Sequence, residues 1–211
     1  MTFTLVLRRI HMYLALFFTP WVLVYGLSTL VMNHMPFFSG LYGKEWGAFR
    51  LERQMTYDKP LPLRTEDQAG ATAAPRTDPD AAGRQILQDL GLEGASWTNA
   101  ARDGSRLTIG RMHGFRPRRI TYTAEDRKLT IERQVFQWPL FLRQLHTRRG
   151  YGQPYLADDL WALGIDLFIV TVLLWGVTGL WMWYRMRRVR PWGVLCAVAG
   201  CGLFAFFVWT I

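Results

Sequence analysis

The stretch Trp161–Trp183, WALGIDLFIVTVLLWGVTGLWMW, decides the architecture. It contains one acidic residue and no basic one. A helix of that length, at about 1.5 Å per residue, crosses a hydrocarbon core of about 30 Å. Backbone donors and acceptors have no water to turn to in lipid, so such a run must be helical. Two further stretches share this character, Met12–Met32 and Trp192–Ile211. A soluble helical core is excluded because three such runs would leave no solvated face. Arg8 and Arg9 before the first run resemble a signal-peptide start, but the run exceeds the usual apolar length and no small-residue cleavage pattern follows Met32.

Outward from these runs the composition changes. Nearly all of the 16 acidic residues lie between Lys44 and Asp159, so the mean hydropathy of +0.04 averages two unlike materials. The reading is an integral membrane α-helical protein with an inserted extracytoplasmic α+β domain. Residues 1–34 form a flank and first span, 35–155 the domain with an interfacial segment, and 156–184 the second span. Residues 185–190 are a turn and 191–211 the third span.

Orientation follows from charge on the short flanks. Arg8 and Arg9 precede the first span, and Arg185, Arg187, Arg188 and Arg190 fill the turn, with no acid beside them. The positive-inside rule therefore predicts a cytoplasmic N-terminus and a domain on the opposite side. The net charge of +9 is thus explained by topology, and nucleic acid is not expected as a partner. The expected partners are the lipid bilayer and other membrane subunits or a second copy of the chain. Cys196 and Cys201 stand five positions apart, on different faces of a helix, and form no metal pair.

Within the domain, Phe49–Tyr57 reads as a strand and Lys59–Pro79 as an aperiodic loop. Asp80–Leu90 reads as a helix stopped by Gly91. Ser96–Asn99, Arg106–Met112, Arg116–Thr123 and Lys128–Val135 then read as an antiparallel meander. Trp138–His146 is an amphipathic segment expected in the outer interface. Pro20 is expected to kink the first span.

Three of the four histidines, His11, His34 and His146, fall at membrane boundaries. His11 and His34 are separated by about 35 Å along a straight helix and cannot share a ligand. His34 and His146 fall on the same side. Two imidazoles from different segments can hold the iron of a b-type haem axially. Three readings stay open here: a haem pair, interfacial imidazoles that snorkel, or another metal or ligand. Asp166, inside the second span, is either shallow enough to reach interfacial water or orients one of these imidazoles. Arg143, Arg148 and Arg149 are candidate partners for haem propionates. Gly176 and Gly179 thin the second span for a neighbouring helix or a flat cofactor edge. Neither a hydrolase triad nor a phosphate-cradling loop or nicotinamide fingerprint is found.

Arg8-Arg9-Ile10-His11, Leu145-His146-Thr147-Arg148-Arg149-Gly150 and Val177-Thr178-Gly179-Leu180 together resemble the PepSY-associated transmembrane family. The resemblance implies a PepSY-like periplasmic domain in a bacterial inner membrane and, by way of larger relatives, haem-dependent electron transfer linked to iron uptake. It makes His146, His34 and His11 ligand candidates. The chain departs from the pattern in having one domain and three helices, Ala15 in place of a glycine, and no second inner-side histidine. One copy therefore cannot build a two-haem relay. The rival expectation is a non-redox accessory subunit docking on a larger membrane complex.

Overall fold

The computed structural model describes residues 3–63, 77–101, 104–112, 115–148, 150–153 and 155–211. The chain forms two compact units, Met1–Val22 with Gly164–Ile211, and Leu23–Leu163. Three helices are long and apolar enough to cross a membrane. They are α1 (Phe3–Asn33), α5 (Leu156–Arg185) and α6 (Arg190–Thr210). The segment inserted between α1 and α5 is an α+β domain built on a five-stranded antiparallel sheet.

In the first unit α1 and α5 meet through aromatic side chains. Phe18 and Phe168 have ring centroids 5.9 Å apart, and Phe3 meets Trp181 edge-on at 6.3 Å. Lipid is as apolar as these side chains, so van der Waals fit rather than hydrophobic transfer holds them. Gly164 shows the fit: a Cβ there would sit 3.5 Å from the Trp21 indole. The helix α1 is continuous through Pro20. Helix α6 has no buried residue, so all its faces are open to lipid or to another protein.

In the second unit the chain leaves α1 through a turn at His34 into a short helix that the sequence reading did not foresee, α2 (Met35–Tyr42). The strands are β1 (Phe49–Thr56), β2 (Ser96–Ala100), β3 (Arg106–Arg111), β4 (Arg118–Thr123) and β5 (Lys128–Gln134). They lie in the order β1-β5-β4-β3-β2, so the meander β2–β5 is closed at one edge by β1. Period-2 alternation places Leu107, Ile109, Ile120, Leu129 and Ile131 on one face.

The helix α3 (Pro79–Asp89) covers that face with Ala82, Ile86 and Leu87. Asp78 caps it, accepting from the backbone N–H of Asp80 at 3.0 Å and of Ala81 at 3.3 Å, and Pro79 needs no donor in the first turn. Gly91, at φ 63°, ends the helix as expected. Burial of each large aliphatic side chain in this core contributes about 1.5–3 kcal/mol. Most of the loop read at Lys59–Pro79, and the turn at His113-Gly114, lie outside the described residues.

Trp138–Thr147 forms the helix α4, which lines up with the amphipathic segment read from the sequence. Its start is pinned by the buried Gln137, whose Nε2 donates to Glu45 O at 2.5 Å while its Oε1 accepts from Gly47 N–H at 3.0 Å. Pro139 and Leu140 are buried beneath it, and Gln144 donates to Gln134 at 2.9 Å.

Candidate cofactor-binding site

The part of α1 within the second unit, Leu23–Asn33, carries Tyr25 and Ser28 on one stripe, three residues apart, and α4 brings His146 to them. Ser28 is fully buried. Its Oγ lies 3.0 Å from Tyr25 O and 2.7 Å from Nδ1 of His146. A hydroxyl has one hydrogen. When the Tyr25 carbonyl takes it, Ser28 Oγ accepts from His146, and in that tautomer the imidazole proton is on Nδ1 and the lone pair on Nε2. The Tyr25 ring packs on the imidazole with centroids 4.9 Å apart. Nε2 has no hydrogen-bond partner among the described residues.

The same arrangement occurs in the first unit. Nδ1 of His11 lies 2.9 Å from Thr178 Oγ1, which is also 2.6 Å from Leu174 O. When Thr178 donates to that carbonyl, His11 too is the Nδ1–H tautomer; its ring lies beside that of Trp175, centroids 6.0 Å apart. Thr178 of the Val177–Leu180 motif and His11 of the Arg8–His11 motif are thus partners in one hydrogen bond.

The link after α4 explains the third motif. Arg148 binds Asp158, which is 3% exposed, through Nε at 2.9 Å and through a second, shorter bond. A Cβ on Gly150 would overlap Ala162, so only glycine lets the link pass this close to the first turns of α5. Position and orientation of α4 are therefore held at both ends.

The other candidates stand differently. His34 is exposed in the turn between α1 and α2, and its side chain makes no capping bond. It follows Ser28 by six residues, about 240° further round the helix, so it is not on the stripe that receives His146. Asp166 is exposed on α5, in the first unit. The group on Nδ1 of His146 is Ser28. Arg143 is exposed on α4, Arg148 is engaged by Asp158, and Arg149 lies outside the described residues. Among the described residues no cluster of three or more His, Cys, Asp or Glu forms a metal site. Ser28 was missed by sequence reasoning; a hydroxyl inside an apolar run was its only signal.

Four indole donors, Trp21, Trp161, Trp175 and Trp183, have buried Nε1 atoms with no acceptor among the described residues. In lipid such donors carry a desolvation cost that a bound acceptor would relieve.

The fold and these histidines define a membrane-spanning α-helical protein with an inserted α+β domain, carrying two imidazoles that each have one nitrogen fixed and the other available. Comparison with protein-family profiles, curated proteins and solved structures finds no match to the chain.

Proposed function

We propose that the chain is a haem-b electron-transfer or reductase subunit of a bacterial inner membrane, with its domain on the periplasmic side and a role linked to iron uptake. The observation that carries this reading is the state of His146. Its Nδ1 is committed to buried Ser28 and its Nε2 is free to bind iron. A ligating imidazole needs this kind of support on its other nitrogen. The orphan Nε1 of Trp161, in the same unit, is a second sign of a missing polar acceptor.

Haem b, when bound, supplies one-electron exchange at its iron, which no side chain of the chain offers. Nε2 of His146 would hold the iron, with Ser28 and Tyr25 fixing the plane of the imidazole. His34, turned from this stripe, would not hold the same iron. Sidedness rests on the six arginines that flank the spans.

Optical spectra of the full chain, purified from haem-replete cells, test the reading. A haem absorbance band is expected in the wild type and in His34→Ala, and its loss in His146→Ala. A colourless wild type, or a spectrum indifferent to His146→Ala, would overturn it. Loss with His11→Ala alone would move the ligand to the pair His11–Thr178.

One observation favours the non-redox accessory subunit as a second reading. Helix α6 buries nothing within the chain, and a Cβ on Gly176 or Gly179 would meet nothing within 4 Å. These apolar surfaces suit docking on a larger membrane complex. A colourless protein that co-purifies in fixed stoichiometry with another membrane protein would support it.

A further inference from the structure

One end of the domain's sheet carries an unusual row of charge. Arg50, Arg133, Arg118 and Arg111 are direct cross-strand neighbours through β1, β5, β4 and β3. Like charges facing each other across strands destabilise a sheet. Among the described residues, Glu52 accepts two bonds from Arg118 at 2.8 and 3.0 Å, Glu45 lies 3.5 Å from Arg50, and Asp158 acts on Arg111 through its charge. The row lies where β1 begins after α2 and where β5 ends before α4.

Beside it, on the face opposite α3, is a groove of about 370 Å³ between the sheet and α4. That volume is within the range of small-molecule sites. Its floor is aromatic: the Trp97 indole covers Gly110, where a Cβ would overlap the ring, and the Arg119 guanidinium lies 4.3 Å over the Phe49 ring. Its rim is cationic. Five arginines and no acidic side chain among the described residues line it. Arg143, on α4, is the one of them with neither an ion pair nor a side-chain hydrogen bond among the described residues.

The other flank of α4 is an exposed aromatic group. Phe115, 61% exposed, stacks on Phe141 at 4.7 Å, and Phe136, 55% exposed, closes the trio at 5.9 Å from Phe141. Such a cluster of exposed apolar rings is the kind of surface that meets a membrane or another protein.

We propose that the groove between α4 and the sheet binds the phosphate headgroup of an anionic phospholipid, with Arg143 as its direct cation and Trp97 and Leu145 against the glycerol and upper acyl chain. Phosphate matches the donor fork of arginine, and the apolar floor accepts the body of a lipid that a free anion lacks. This site is independent of the haem reading.

Native mass spectrometry of the full chain in detergent tests it, by titration with phosphatidylglycerol, with phosphatidylcholine of the same acyl chains, and with soluble glycerol phosphate. At least a tenfold preference for phosphatidylglycerol over both is expected in the wild type. Arg143→Gln, which leaves every ion pair of the domain intact, should abolish most of that preference, and Arg187→Gln with Arg188→Gln should leave it unchanged. Equal binding of the two lipids, equally tight binding of glycerol phosphate, or loss of preference only in the Arg187/Arg188 variant would overturn the proposal.

Discussion

Ser28 Oγ lies 2.7 Å from Nδ1 of His146, across 118 positions of sequence. This bond joins the end of the first span to the helix that leads into the second, and it decides which imidazole nitrogen is free.

Ser28→Ala removes the acceptor while keeping His146. Loss of such an outer partner lowers metal affinity by about 10–100-fold. Haem titration of the purified variant should therefore show weakened but measurable binding, against none for His146→Ala. Unchanged affinity would show that Ser28 serves packing alone.

Thr178→Val keeps the shape and deletes the acceptor for His11. A buried donor left without a partner costs about 1–3 kcal/mol. Thermal unfolding in detergent should show this loss in Thr178→Val and its recovery in Thr178→Ser.

Gly83 faces β2 from α3, where a Cβ would come 2.2 Å from Thr98 Cγ2. Gly83→Ala gains helix propensity of about 1 kcal/mol but forces the helix off the sheet, an overpacking cost of about 1–3 kcal/mol. Net destabilisation of the domain is expected, by denaturant melts of the full chain. Gly83→Ala combined with Thr98→Ala should restore it.

The domain's stability should fall at both extremes of pH. Glu52, hydrogen-bonded to Arg118, and Asp89, bonded first to Lys59 and then to Tyr57, have their carboxyls held below the usual range. Their contribution is present above the ordinary carboxylate pKa and is lost as pH falls through the lowered values. Tyr57 is pushed up to about 12 by burial and by its bond to Asp89. Its contribution is present below the ordinary tyrosine value and is lost as pH rises through about 12. Amide exchange of the sheet across pH, with Glu52→Gln and Tyr57→Phe, should flatten the acid and alkaline limbs respectively.

Reporter fusions after Gly94 and after Arg190 should give opposite compartment signals, with Gly94 outside the cytoplasm. The same signal from both would reverse the orientation argued from the arginine flanks.

The spans, the capped helix after Asp78 and four strands of the meander were legible in the sequence because each is a local pattern. A run without charge must be helical in lipid, and an alternating run ended by a turn must pair. The helix α2 was not legible: Met35–Tyr42 is apolar nearly throughout, so it has no period distinct from the span it follows. The edge position of β1 was not legible either, since pairing with β5 spans the whole domain.

His11 and His146 could be singled out from the sequence by residue type and by their places at span boundaries. Their partners could not, because Thr178 and Ser28 are distant in the chain and common in membrane helices, where a hydroxyl most often bonds its own helix backbone. Both hydroxyls do that here. Only the packing of a second helix against each hydroxyl reveals that it also meets Nδ1 of a histidine. Local chemistry determined that this chain crosses a membrane around an α+β domain; tertiary contact alone decided which nitrogen of each imidazole is left to act.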